Sequence, residues 1–119
     1  MMRMPMTPVL EQLIDALAGS EECYISVLDR GRRIVWFNEK MAAEHGPLSD
    51  LQGRKCYEAF AGDTQPHAGC AVETALRTGH LERAVERLGG KPHLILAVPI
   101  EDGHIAEIII EIPEKEHML

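Results

Sequence analysis

At 119 residues the chain has room for one domain with a single hydrophobic core. Its composition, 45% apolar and 26% charged, is that of a soluble globular protein, and it lacks the roughly 18 consecutive apolar residues that a membrane helix requires. The net charge of −7 argues against a nucleic-acid or membrane partner, and the basic residues at 30–33 are interpreted as part of a solvated turn. The lack of a secretory signal favours the cytoplasm.

An amphipathic helix is predicted within residues 1–19. Thr7 is a suitable N-cap, Pro8 fits the first helical position, and apolar residues then recur at spacings of three and four until Gly19. A single apolar stripe of this kind can cover the sheet of its own chain or pair with a second copy of the chain. We therefore predict that this segment is a cap or a dimerisation element.

The next segment predicts a β-hairpin followed by a helix. Residues 22–28 and 33–37 are rich in β-branched and aromatic side chains, and the turn between them contains Gly31. Asn38 is a typical N-cap residue for a helix over Glu39–His45. The first third of the domain is therefore predicted as strand, strand, helix.

The second half of the chain predicts short helices and then three strands. From 48 to 79 the apolar residues recur in short helical patterns. Within 80–88 three aliphatic residues have helical spacing, so local propensity favours a helix, whereas the Gly89-Gly90 turn signal that follows favours a hairpin strand. We predict a strand there, with further strands at 91–98 and 105–112.

This order indicates an α+β fold with an antiparallel sheet, because a helical block separates two groups of strands. The motifs that carry a family resemblance lie in the first hairpin, at the start of a middle helix and at the end of the last helix: Leu28-Asp29, Ile34-Val35-Trp36-Phe37-Asn38, Leu51, Gly53-Arg54-Lys55-Cys56-Tyr57 and Ala75-Leu76-Arg77-Thr78-Gly79. In this order they resemble the PAS domain family over about residues 20–112, leaving 113–119 as a polar tail. The resemblance implies a five-stranded sheet in the order 2-1-5-4-3, with short helices over one face forming a pocket.

The sequence departs from the family pattern at Gly31-Arg32, where the family often has Asp-Gly. The family pattern therefore does not specify the geometry of the turn between the first two strands.

Three soft metal-ligand residues lie within the predicted helical block. Some bacterial sensor PAS domains resemble this chain further, with Lys-Cys-Tyr followed by Pro-Cys-x-x-Cys, and here His67 replaces the first cysteine of that pair. Cys56, His67 and Cys70 are therefore candidate ligands for zinc or iron, with an iron-sulfur cluster or haem less favoured. The alternatives are a reversible disulfide between the two cysteines, or thiols that only pack in the core without any cofactor.

The resemblance also implies a pocket between the sheet and the helices. We expect this pocket to hold a small ligand, unless the same side chains only fill the core. The candidate lining residues are aromatic, aliphatic or small and polar: Tyr24, Ser26, Trp36, Tyr57, Phe60, Leu94 and Leu96.

No enzymatic activity is predicted. Cys56 or Cys70 can be combined with His67 as nucleophile and base, but no orienting carboxylate or oxyanion motif stands at a recognisable spacing. The resemblance instead implies a sensory domain that binds a small ligand or senses a metal or redox state. It would signal through protein contacts, as a homodimer and with an output protein such as a kinase, in cis or in trans. The alternative is a constitutive dimerisation module without a ligand.

Overall fold

The computed structural model describes residues 12, 15, 16, 19, 22–62 and 70–113. These residues form five β-strands, four α-helices and one short 3₁₀ turn. The strands are β1 (Cys23–Leu28), β2 (Ile34–Phe37), β3 (Glu82–Leu88), β4 (Lys91–Pro99) and β5 (Ile105–Glu111), the helices are α1 (Glu39–His45), α2 (Leu48–Leu51), α3 (Cys56–Ala61) and α4 (Ala71–Thr78), and the 3₁₀ turn is Glu101–Gly103.

All five strands form one antiparallel sheet in the order β2-β1-β5-β4-β3. The predicted α+β fold and its strand order are therefore confirmed. Most of the predicted N-terminal helix lies outside the described residues, and the described residues within it that are helical are Gln12, Asp15 and Ala16. The predicted tail beyond Pro113 also lies outside the described residues. None of the helices in the described ranges is long and apolar enough to cross a membrane.

The segment 80–88, for which the sequence has both helix and strand signals, contains a strand. β3 pairs with β4 in an unbroken antiparallel register, from Glu82 opposite Ala97 to Leu88 opposite Lys91. The turn between them is Gly89-Gly90, with φ angles of 61° and 83°. Positive φ at both positions suits a two-residue hairpin, and glycine adopts it without steric penalty. Cross-strand pairing outweighs the local helical propensity, and the strand prediction is confirmed.

The turn between β1 and β2 is held by the side chain of Asp29. Its Oδ1 accepts hydrogen bonds from the backbone N–H groups of Gly31 and Arg33, both at 2.9 Å. Between them, Arg32 has a φ of 65°, a left-handed conformation that costs a non-glycine residue about 1 to 2 kcal/mol. The position at which the sequence departs from the PAS pattern thus has a backbone conformation that glycine would adopt more easily.

The hydrophobic core lies between the sheet and the helices. The largest completely buried apolar side chains are Leu28, Ile34 and Ile105 from the sheet and Val72 from α4. They form one cluster with Met41 of α1 and with residues of α2 and α4. We call the sheet face that carries this cluster the inner face and the opposite one the outer face.

Asn38 fixes the start of α1 against β1. Its Oδ1 accepts hydrogen bonds from the backbone N–H groups of Ile25 at 3.2 Å and Met41 at 3.3 Å, and its Nδ2 donates to the carbonyl oxygen of Cys23 at 3.0 Å. The bond to Met41 is the helix N-cap that the sequence predicts. Because Asn38 is only 2% exposed, water cannot replace these bonds.

Candidate functional site

A cavity of about 470 Å³ lies between the inner face of the sheet and helices α1, α3 and α4. Its apolar wall is formed by Met41, Phe60, Val72, Ile95 and Ile109. A volume of this size, with mostly apolar walls and a few polar groups, is within the range of small-molecule sites in proteins. The cavity is therefore the candidate site.

The alternation of side chains along the strands decides which residues reach the cavity. His93 and Ile95 on β4 face inward, as do Glu107 and Ile109 on β5, where Ile95 lies opposite Ile109. Ile109 in turn lies opposite Tyr24 of β1. Paired residues of an antiparallel sheet share a face, so these three strands present one continuous wall.

Three of the seven predicted lining residues line the cavity, and a fourth lies on the inner face beside it. Tyr24, Tyr57 and Phe60 line the cavity. Ser26 is buried on the inner face opposite Glu107, outside the lining itself. The structure therefore brings the aromatic residues of α3 and of β1 to the same cavity.

Trp36, Leu94 and Leu96 do not line the cavity and belong to the outer face. Leu94 and Leu96 alternate with the inward-facing His93 and Ile95 along β4, and Trp36 pairs with a β1 residue of the outer face. The sequence expectation placed these two leucines of β4 in the wall of the pocket. The strand is apolar on both faces, however, so composition did not reveal which set faces the helices.

Two of the three predicted metal ligands lie in the wall of the cavity. Cys56 is the first residue of α3, and Cys70 immediately precedes α4. Burial is the main cause that raises the pKa of Cys56 from 9.0 to about 12, and the charge of Glu107 adds to it. Burial also raises the pKa of Cys70. Both thiols are therefore protonated at neutral pH, whereas a metal or an electrophile reacts with a thiolate.

The third predicted ligand, His67, lies outside the described residues. Across the ranges that the structure does describe, no group of three or more histidine, cysteine, aspartate or glutamate side chains is arranged to hold a metal ion. The metal site stays a prediction.

Arg32 is a lining residue that the sequence did not indicate. Its Nη2 lies 3.2 Å from Oε1 of Glu73 in the first turn of α4. Its backbone carbonyl accepts a hydrogen bond of 2.9 Å from the N–H of Cys56, at the start of α3. Arg32 thus links the β1–β2 turn to two helices. No sequence pattern signals this, because it depends on the backbone conformation of one turn residue.

Charged residues line another part of the cavity. Tyr24 donates a hydrogen bond of 2.6 Å from its hydroxyl to Oε1 of Glu44, and this bond is the main cause that raises the pKa of Tyr24 to about 12. Nζ of Lys91 lies 3.7 Å from Oε2 of Glu111, and both side chains are more than half exposed. An apolar cavity with a polar, partly solvated edge suits a small amphipathic molecule.

Comparison with known structures finds the same fold in several other proteins. A domain of an HTR-like protein from Haloarcula marismortui is 18% identical, with a TM-score of 0.65, and the match covers 79% of this chain and all of that one. A sensory box sensor histidine kinase from Vibrio cholerae is 18% identical, with a TM-score of 0.64 and coverage of 88% and 90%. The PAS domain of nitrogen regulation protein NR(II) from Vibrio parahaemolyticus is 12% identical, with a TM-score of 0.61 and coverage of 82% and 95%.

At these identities the likeness concerns the fold alone. A comparison with curated proteins gave no match. The family model described as PAS fold matches residues 20–116, which is most of the chain. The chain belongs to the PAS-fold family.

Proposed function

We propose that this PAS domain is the sensory part of a signal-transduction system, and that it binds a small molecule in the cavity. The observation that carries the proposal is the cavity itself, because its wall includes residues of α1, α3 and α4 as well as four strands. A molecule in this position contacts both the helical block and the sheet. Binding would change the relative position of the two layers, and a partner protein in contact with the domain would detect that change.

The family and its structural relatives support this function. Two of the relatives described above are named as a sensor histidine kinase and a nitrogen regulation protein. A PAS fold with a partly open, mainly apolar cavity beside its core matches a sensory role better than a purely structural one, which would need no such space.

Replacing Ile109 with phenylalanine tests whether the cavity binds ligands. Ile109 is a half-buried lining residue on the central strand, and a larger aromatic side chain there occupies part of the cavity. We expect the affinity for the neutral fluorescent probe N-phenylnaphthylamine to fall at least about tenfold, as measured by fluorescence titration.

The matched control is Ile108→Phe, which adds the same volume to the outer face of the same strand. Ile108 lies opposite Ile25 and Leu96 and does not line the cavity. We expect its affinity for the probe to equal that of the unmodified chain. Equal affinity in both variants, or no binding to the unmodified chain, would contradict the proposal.

A second candidate function is metal or redox sensing through the cysteines. It is favoured by one observation: Cys56 and Cys70 line the same cavity, each at the start of a helix. Together with His67 they would bind zinc or iron, or the two thiols would form a reversible disulfide. Elemental analysis of protein purified without oxygen tests the metal version. Zinc or iron near one ion per chain, lost in Cys56→Ser, is the expected result, and metal-free protein would contradict it.

We further propose that the domain acts as a homodimer and transmits its signal to an output protein such as a kinase. The outer face supports this, because Val85 and Ile110 are 52% and 38% exposed there, on either side of Leu94. Exposed apolar side chains on neighbouring strands favour association with a second copy of the same face. A monomer in sedimentation equilibrium at micromolar concentration would contradict the homodimer.

A further inference from the structure

Arg32 is held in place by its backbone as well as by its side chain. Its N–H donates a hydrogen bond of 2.9 Å to the carbonyl oxygen of Asp29, and its own carbonyl accepts one of 2.9 Å from Cys56. Its φ of 65° is strained for a side-chain-bearing residue. This combination fixes the direction in which the side chain leaves the turn, which is toward the cavity.

The guanidinium group of Arg32 has one buried donor without a partner. Nη2 forms the ion pair with Glu73. Nε is buried and has no hydrogen-bond acceptor among the described residues. A buried donor without an acceptor is unfavourable. Because Nε is shielded from solvent, a ligand acceptor reaches it through a small shift of the Arg32 side chain toward the cavity, and the hydrogen bond then formed satisfies this donor.

The charges around the cavity determine which acceptor suits this donor. Among the described lining residues, four carboxylates face two permanent cations; the carboxylates are Glu44, Glu86, Glu107 and Glu111, and the cations are Arg32 and Lys91. Arg32 and Lys91 each already form an ion pair with a carboxylate. A further negative charge would therefore be repelled, whereas a neutral oxygen accepts the hydrogen bond without that penalty.

We propose that Arg32 is the polar anchor of the cavity's ligand, and that this ligand is a neutral, largely apolar molecule with a carbonyl oxygen, such as a ketone, ester, lactone or amide. The carbonyl oxygen accepts the hydrogen bond of Arg32 Nε, and the apolar part lies against Met41, Phe60 and Ile95. This inference rests on the proposed ligand-binding function and specifies the ligand class and the residue that recognises it.

Binding of four ten-carbon probes to the unmodified chain tests the ligand class. The probes are methyl octyl ketone, decyl chloride, decanoate and decylamine, which share their apolar part and differ in their polar group. A hydrogen bond to a charged donor is stronger than one between neutral groups, so we expect the ketone to bind at least about tenfold more tightly than decyl chloride. We also expect decanoate to bind more weakly than the ketone.

Two variants test the assignment to Arg32. In Arg32→Met the preference for the ketone over decyl chloride should disappear, while the affinity for decyl chloride is retained. Glu73→Gln is the matched control, because it removes the charge of the ion-pair partner and leaves Arg32 Nε in place. We expect this control to keep the preference.

A measurement on the unmodified chain makes the test independent of whether Arg32→Met folds. The ¹⁵N–¹H signal of Arg32 Nε should shift when the ketone binds and should not shift with decyl chloride. Equal affinity for ketone and decyl chloride, a preference that survives Arg32→Met, or tighter binding of decanoate or decylamine would overturn the inference. If N-phenylnaphthylamine binds and the ketone preference is absent, only the Arg32 assignment fails; if no probe binds, the ligand-binding proposal fails with it.

Discussion

We expect Asn38→Ala to lower the free energy of unfolding by about 3 kcal/mol, because one substitution removes three hydrogen bonds from a buried position. The backbone N–H of Ile25 and the carbonyl of Cys23 lose a buried partner, and α1 loses its N-cap, which alone contributes about 1 kcal/mol. A decrease of this size is a large fraction of the total stability of a small domain and lowers Tm by on the order of 10 °C.

Urea unfolding of the variant and of Asn38→Ser measures this loss. Serine retains an acceptor for the N–H of Met41 and cannot reach both Ile25 and Cys23, so its stability should lie between those of the alanine variant and the unmodified chain. A loss below about 1 kcal/mol for Asn38→Ala would show that the asparagine is only a helix cap and does not hold α1 against β1.

The order of the elements could be predicted from the sequence because strong local signals mark its turns. Gly89-Gly90 specified a hairpin, and its effect outweighed the helical spacing of the residues in β3. Asn38 marked the start of α1 for a similar reason, since an N-cap is a local interaction. Where a structural feature depends on a few neighbouring residues, the sequence is sufficient to predict it.

The lining of the cavity was harder to predict because it depends on contacts between distant segments. The inner and outer faces of β4 are both apolar, so Leu94 and Leu96 were expected where His93 and Ile95 lie. Only pairing with β5, whose inner residues include Ile109, determines which set faces the helices.

Arg32 shows the same dependence on distant segments. Charge and position indicate a solvated turn, and its contact with Glu73 arises only because the turn has a left-handed residue directed toward α4. The side chain that we assign to ligand recognition is thus one that composition alone would place in solvent.

We expect Cys56 of the folded chain to react with iodoacetamide at pH 8 on the order of 50-fold more slowly than in the unfolded chain. A pKa of about 12 in place of 9.0 lowers the thiolate fraction about a thousandfold, while the more basic thiolate regains a factor of about 20 in intrinsic reactivity. Peptide mapping after timed alkylation measures Cys56 separately from Cys23 and Cys70, and the urea-unfolded chain is the control.

The same pKa predicts how stability depends on pH. Between pH 9 and about 12 the thiol of Cys56 ionises in the unfolded chain and not in the folded one, so the unfolded state binds fewer protons and the free energy of unfolding falls as pH rises through this window. Cys56→Ser has no such ionisation, and its stability should decrease less steeply as pH rises.

Rapid alkylation of Cys56 that reaches its plateau below pH 9 would instead show a stabilised thiolate. That result would contradict a buried neutral thiol and favour Cys56 as the metal or redox ligand of the cavity.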